Sequence, residues 1–360
     1  MASEAFNRED EPLMTAIAEF VTLPEIRRAA RATLPPAVWD YVAGGADSEA
    51  TLRNNRRAFG RYEFRPRVLR DVSRVDLSTT FLGMPLALPI MTAPMGSLEL
   101  VHPDGDLAMA RAAGRMGTIH WLTTMSAATP EQVAAAASGP LVYQLYFRGD
   151  YAWAEALLRR VAAAGYRAIA LTVDNGAYGR RERDIERRRD PRNHPTGIEL
   201  PPGRGRLGSL NWEDVAWLHA ATRLPLVVKG IQSAEDAALA AEHGVAVVHL
   251  SNHGGRNLDY SPAPLDLLAD VVAAVAGRAE VILDGGIQRG TDVLKALALG
   301  ARAVVIGKTA AWGLAAAGEA GVVRTLELLA LELQIAMANT GQSCIADLRP
   351  DLVRPTCRAW

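Results

Sequence analysis

His253 and Arg256 stand three residues apart in Ser251-Asn252-His253-Gly254-Gly255-Arg256-Asn257-Leu258-Asp259. A histidine titrates near neutral pH and can take or give a proton. An arginine presents a planar fork that grips a carboxylate at two points. Gly254 and Gly255 let the backbone bend sharply and approach a ligand closely. The combination is a base beside an anion clamp. A lone histidine after a strand is more often a satisfied or surface group, so the pattern gains weight only if the rest of the chain converges on it.

The elements that must position these residues follow from hydrophobic spacing. The run before Ser251 is short, apolar and bounded by polar turn residues, which reads as a buried strand. From about residue 84, such runs alternate with Ala-rich helical stretches. Strands are expected at 86–92, 118–123, 141–146, 168–173, 225–229, 246–251, 280–283 and 303–306. Helices are expected near 103–116, 129–137, 151–164, 211–222, 233–243, 264–276, 289–299 and 309–319, with another at 321–340. Strand–helix alternation demands parallel pairing, and eight units over about 250 residues is the usual size of a (β/α)₈ TIM barrel of the α/β class. A doubly wound open sheet is the second choice. The expected organisation is an N-terminal helical extension (1–83), the barrel (84–345) and an irregular tail (346–360). Thr22-Leu23-Pro24-Glu25 marks a helix start with a capping box, running to about Ala32. A second helical segment opens after Pro35-Pro36 and ends at Gly44-Gly45. A third covers 49–60, followed by an extended connector at 64–69.

A barrel works at the ends where its strands run out into helices. Reading those positions gives Ala93-Pro94-Met95-Gly96, Thr123-Thr124, Gln144, Tyr146, Thr172, Asp174, Lys229, Ser251-Asn252-His253, Asp284-Gly285-Gly286 and Gly307-Lys308. Nearly every strand ends in a hydrogen-bonding residue. The glycine-bearing ends of the last two strands suit a phosphate, because backbone N–H groups and helix N-termini face an anion there. Lys229 ends a very apolar strand and is costly unless it meets an anion or an electron-rich group. It reads as a Schiff-base lysine, a phosphate ligand or a stabiliser of negative charge on a cofactor ring. One long connection, Asp174 to Leu210, follows the fourth strand and carries the charged run Arg180 to Asp190. Its length marks a lid or binding loop.

Charge is nearly balanced at a formal net −1 in 360 residues, and 49% of residues are hydrophobic. That composition supports a large core and gives no reason to expect nucleic acid or a membrane surface as partner. The only cysteines, Cys344 and Cys357, form no disulfide framework and fit a reducing compartment. No apolar run reaches the roughly 18 residues of a membrane span. The first residues lack the basic and apolar regions of a secretion signal, so the expected location is cytoplasmic. No Cys/His cluster has metal-ligand spacing, and no metal is expected.

With these residues in hand, the chain resembles the FMN-dependent α-hydroxy-acid oxidase and dehydrogenase family, whose members act on acids such as glycolate, lactate and mandelate. The resemblance runs from about residue 22 to 345. Besides the segment from Ser251 to Asp259, it rests on Trp39-Asp40-Tyr41, His102-Pro103-Asp104-Gly105, Tyr143-Gln144-Leu145-Tyr146, Leu171-Thr172-Val173-Asp174, Gly179-Arg180-Arg181, Leu283-Asp284-Gly285-Gly286 and Gly300-Ala301. It implies a TIM barrel holding FMN and oxidation of an L-2-hydroxy acid to the 2-oxo acid. It implies His253 as the base and Asp174 as its carboxylate partner. Arg181 and Arg256 become the substrate-carboxylate clamp, with Tyr41 and Tyr146 as hydroxyl donors. Lys229 becomes the cation at the flavin N1/O2 edge. Ala93, Pro94, Met95, Thr123, Gln144, Thr172 and Ser251 would line the flavin ring. Asp284, Gly285, Gly286, Gly307 and Lys308 would hold its phosphate. The electron acceptor would be oxygen or a quinone-type carrier, and the assembly a homotetramer.

The chain departs from the family pattern in three places. Met125 stands where members acting on short acids usually carry an aromatic residue. Gln288 stands where a phosphate-side arginine is frequent, and Lys308 replaces the usual arginine. Val42, Met95, Met125 and Tyr178 would form an apolar pocket suited to a bulky, mandelate-like substituent. Two other classes compete: a flavin barrel of different chemistry, such as an isoprenoid-diphosphate isomerase, and a non-catalytic ligand-binding barrel. The arginine pair argues against the first, and the intact His253, Asp174 and arginines against the second.

Overall fold

Alternation of inward and outward residues along eight short parallel strands dictates the architecture of the computed structural model. It describes residues 20–188, 196–202 and 205–356; the first 19 residues of the expected extension, Arg189, Asp190 and Cys357 lie outside them. The strands are β4 (Ile90–Thr92), β5 (His120–Thr123), β6 (Leu141–Leu145), β7 (Ala168–Thr172), β8 (Leu226–Ile231), β9 (Val247–Leu250), β10 (Glu280–Asp284) and β11 (Ala303–Ile306). They close a barrel in sequence order, β11 pairing with β4. Met91, Trp121, Val142, Ala170, Val227, Val247, Ile282, Ala303 and Val305 share the interior cluster. Their chain neighbours Leu122, Tyr143, Leu171, Val228, Val248, Leu283 and Val304 belong to the outer core beneath the helices. Two residues beyond the inward set, the same faces carry Ala93, Thr123, Gln144, Thr172, Lys229 and Asp284. The period of two therefore delivers the functional residues to one end of the barrel interior.

The covering helices are α4 (Gly105–Arg115), α5 (Pro130–Ala136), α6 (Tyr151–Ala163), α8 (Trp212–Ala221), α9 (Ala234–Glu242), α10 (Pro264–Val275), α11 (Gly290–Ala298) and α12 (Lys308–Asn339). Four of them start under the side chains of Thr129, Asp150, Asn211 and Ser233, each satisfying an N–H that the helix leaves open. The two helices expected at 309–319 and 321–340 both form; they follow one another within α12 across a break where Ala317 and Gly318 leave helical geometry.

Ahead of the barrel, the Thr22 capping box forms and starts α1 (Leu23–Thr33). Next come α2 (Pro36–Ala43) and α3 (Ala50–Ala58). Trp39 of α2 stacks on Trp312 of α12 at 6.3 Å. The strand expected at 86–92 is two strands. β2 (Thr79–Phe81) and β3 (Met84–Leu86) form an antiparallel hairpin, and the barrel strand begins only at Ile90. Phe81 and Leu86 close the barrel floor against the interior cluster, each worth about 1.5–3 kcal/mol relative to exposure. The expected connector at 64–69 is also partly paired. β1 (Tyr62–Phe64) runs antiparallel to β12 (Val353–Pro355), so part of the expected irregular tail is strand. After β7, the long connection includes the short helix α7 (Glu182–Glu186). Arg183 and Arg187 tie it to Glu49 and Asp40 of the extension, at 2.5 and 3.0 Å.

Candidate active site

Past Leu250, the chain leaves β9 and turns back over the barrel mouth. His253 sits in this turn at φ 59, a left-handed conformation that a side chain rarely adopts and that costs on the order of 1 kcal/mol. The backbone is held there: His253 N–H donates to Ser251 Oγ at 3.1 Å, and Gly255 N–H to Asn252 Oδ1 at 3.0 Å. The imidazole faces a cavity of about 440 Å³, within the usual range for small-molecule sites.

His253 Nδ1 is 3.0 Å from Asp174 Oδ1, and Nε2 is 3.3 Å from the Tyr146 hydroxyl. A carboxylate can only accept, so Nδ1 carries the proton and Nε2 keeps a lone pair. Asp174 Oδ2 is buried with no hydrogen-bond partner, which leaves its charge for the imidazole. Gly230, at φ +112, permits this approach, because a Cβ there would lie 2.6 Å from Asp174 Cβ. Burial holds His253 below the ordinary histidine range, opposed by the Asp174 charge. Burial, reinforced by Asp174, pushes the Tyr146 hydroxyl well up, so it stays a donor.

Arg181 and Arg256 line the same cavity. Arg181 begins α7, donates to the Tyr178 hydroxyl at 2.5 Å and lies over its ring at 4.3 Å. Arg256 donates to the Tyr41 and Gly44 carbonyls at 2.6 and 3.1 Å. Among the described residues, neither guanidinium has a carboxylate within ion-pair distance. Burial and the neighbouring Arg256 charge lower Arg181 to about 10. Two cations that disfavour each other in a half-dry cleft suit an incoming anion. Tyr41 donates its hydroxyl to Gly96 O at 3.0 Å on the facing wall.

The cavity floor is a buried polar cluster. Lys229 Nζ donates to Ser251 Oγ at 2.6 Å and lies 3.0 Å from Asp284 Oδ2. Burial works against the Asp284 charge, but Lys229 and His249 outweigh it and hold the carboxyl far below the usual range. Thr123 donates to Gln144 Oε1, and Gln144 Nε2 to Thr172 Oγ1 at 2.8 Å.

Of the expected cofactor residues, Ala93, Pro94, Met95, Thr123, Lys229, Asp284, Gly285, Gly286, Gln288, Gly307 and Lys308 line the cavity, and so does Met125. Gln144, Thr172 and Ser251 are buried behind that lining rather than in it. At the far end, Gly285 and Gly286 have φ +96 and +83, and a Cβ on Gly286 would fall 2.2 Å from Asn55 O. Lys308 donates to Gly254 O at 3.0 Å. Burial, then the Arg256 and Arg181 charges, push its ammonium down to about 7. An end lined by glycine backbone and a destabilised cation fits a phosphate. A floor presenting a buried lysine fits the electron-rich edge of a flavin ring. The donor set therefore fits FMN.

Sequence reading missed Leu52, Arg56, Arg148, Asn175, Leu207 and Ile287, all of which line the cavity. Arg56 of α3 donates to Gly286 O at 3.0 Å and pairs with Asp292. It supplies a cation beside Gln288 from outside the barrel, where reading strand ends could not find it.

Comparison with known proteins identifies a family for the chain. The family model for FMN-dependent dehydrogenase matches residues 30–355. Glycolate oxidase 5 of Oryza sativa subsp. japonica is 44% identical over 348 residues, covering 92% of this chain and 94% of its own. L-lactate oxidase of Nostoc sp. is 44% identical over 360 residues, covering 93% and 98%. Among solved structures, a soluble mutant of the membrane-associated (S)-mandelate dehydrogenase of Pseudomonas putida superposes with a TM-score of 0.89. It is 36% identical and covers 94% of this chain and all of its own.

Proposed function

The chain belongs to the FMN-dependent dehydrogenase family and oxidises 2-hydroxy acids with FMN, and from that premise we propose how its own residues do so and on which acids. The isomerase and non-catalytic alternatives fall with that membership. The observation that carries the proposal is the His253–Asp174 contact, made on the wall of a cavity that also holds Arg181 and Arg256.

The substrate carboxylate docks on Arg181 and Arg256, which fixes the α-carbon near the barrel axis. The α-hydroxyl then meets His253 Nε2 and the Tyr146 hydroxyl. His253 takes the hydroxyl proton, and Asp174 stabilises the imidazolium that results. Lys229 holds positive charge at the floor, where negative charge accumulates as electrons leave the substrate. Bound FMN supplies the acceptor for the two electrons of the Cα–H bond. The acid loses two electrons and two protons and leaves as the 2-oxo acid. Ala93 to Met95 and Thr123 would flank the ring. Gly285, Gly286, Gly307, Lys308 and Arg56 would receive the phosphate.

The substrate side chain in this reading is bulky or aromatic, as in mandelate. Met125, Tyr178, Val42 and Leu207 give the cavity an apolar flank. Gly96 lets Met125 pack closely on that flank, since a Cβ there would lie 3.0 Å from Met125 Cβ. The acceptor is oxygen or a quinone-type carrier. A homotetramer and a cytoplasmic location belong to the same reading. The outward Leu258, Tyr260, Leu331 and Ile335 offer apolar contact between copies, and the scarcity of cysteine fits a reducing compartment. The test is anaerobic reduction with glycolate, lactate and mandelate, followed by admission of air. Mandelate should bleach the yellow enzyme fastest; a clear glycolate preference contradicts the pocket assignment. Recovery of colour in air assigns oxygen as acceptor, and its absence assigns a carrier.

A further inference from the structure

His249 lies in a strand otherwise made of Val247, Val248 and Leu250. The alternation of β9 turns it inward, in register with Lys229 on β8 and Ile282 on β10. It is fully buried. Its ring meets Trp121 edge-on at 5.3 Å. Nε2 lies 3.2 Å from Asp284 Oδ2, off the line of a good hydrogen bond, and Nδ1 has no partner. An aliphatic residue would fill this position without the cost of desolvating two ring nitrogens. On its other side, the same Oδ2 lies 3.0 Å from Lys229 Nζ. One carboxylate oxygen is thus shared between an imidazole and the ammonium at the cavity floor. The charged groups acting on His249 are Asp284, Lys229 and, further off, Asp174; burial is the largest influence and keeps the ring neutral.

We propose that His249 is a positioning residue that acts through Asp284 on Lys229 and thereby sets the reduction potential of bound FMN. The proposal rests on the placement of Lys229 at the flavin edge given above. A neutral imidazole whose Nε2–H lies beside Asp284, though not in line with it, still sets the positive side of its dipole next to the carboxylate and offsets part of the carboxylate's field. That part is then unavailable to cancel the Lys229 charge. With an aliphatic residue at 249, the whole carboxylate faces Lys229. The positive field at the floor shrinks, and the reduced, negatively charged flavin loses stabilisation.

Redox-dye titration of the FMN-loaded wild type, His249→Leu, His249→Gln and Lys229→Met tests this. His249→Leu should shift the reduced-to-oxidised ratio about tenfold toward oxidised, ~30 mV for a two-electron couple. Its KM should stay unchanged, because His249 does not touch the substrate site. His249→Gln, whose amide can occupy the Nε2 position, should restore the wild-type potential. Should the leucine variant fail to load FMN, His249→Asn, too short to reach Asp284, should show the same fall. A wild-type potential in His249→Leu, or a glutamine variant no closer to wild type than leucine, overturns the coupling. If Lys229→Met itself leaves the potential unchanged, the placement of Lys229 fails, and the coupling with it. A lowered potential in Lys229→Met but not in His249→Leu overturns the coupling alone.

Discussion

Asn55 and Asn252 exchange two amide hydrogen bonds, Nδ2 to Oδ1 at 2.8 Å in one direction and 2.7 Å in the other. Both are buried. One lies on α3 of the N-terminal extension beside Arg56, and the other immediately precedes His253. The extension therefore grips the loop that carries His253. Asp259 adds a second grip, accepting from Ser48 Oγ at 2.6 Å and Thr51 N–H at 2.8 Å. Asn55→Ala leaves a buried amide partly unsatisfied, at a cost of about 1–3 kcal/mol. A lower Tm in calorimetry and a reduced kcat/KM with mandelate are the expected results. Wild-type values of both would show that the extension does not hold the loop.

The pair of His253 and Asp174 fixes the direction of the pH dependence. As the proposed base, His253 must be neutral to act, and burial keeps its pKa below the ordinary histidine value. Flavin reduction should therefore be on its plateau at pH 7 and decline only as pH falls through that lowered pKa. In Asp174→Asn, the influence that raises the pKa is gone. The acid limb should move to lower pH while the plateau falls by roughly 10²-fold or more. Stopped-flow reduction rates from pH 5 to 8 measure both; an acid limb that moves upward contradicts the pairing.

With Lys308 at the phosphate, as proposed, FMN binding becomes proton-linked. Its ammonium is lowered to about 7 in the free protein by burial and by Arg256 and Arg181, and a neighbouring phosphate dianion would raise it. The complex then holds more protons than the free protein above pH 7, so affinity should weaken as pH rises. Titrating apoprotein with FMN by fluorescence between pH 7 and 9 avoids the phosphate's own second ionisation near pH 6. The dissociation constant should climb by up to about tenfold per unit. Lys308→Met should bind more weakly and show a flat profile; a wild-type slope in that variant would place the titrating group elsewhere.

The barrel was legible because each strand pairs a clear apolar run with a polar end. Lys229, Asp284 and Thr123 stand where a period of two must bring them. The two small antiparallel pairs were not legible. Tyr62–Phe64 meets Val353–Pro355, almost the whole chain away, and three-residue strands carry no periodicity of their own. The turn at Leu82-Gly83, between Phe81 and Met84, fell at the end of what read as the helical extension, before the strand expected at 86–92. Arg56 and Leu52 reach the cavity from a helix whose own pattern shows only an amphipathic face. Tyr41 became a site residue through the family resemblance, not through spacing. His249 was hidden in an apolar run, where only the register with Lys229 reveals what it faces.

The proposed reaction depends on His253 as the group that takes the substrate's proton. The most direct measurement is anaerobic mixing of FMN-loaded His253→Ala with mandelate, following the loss of the yellow absorbance. The variant should retain FMN, since the cofactor's other contacts are intact, and its reduction should slow by about 10²–10⁴-fold. Reduction at the wild-type rate would contradict the assignment.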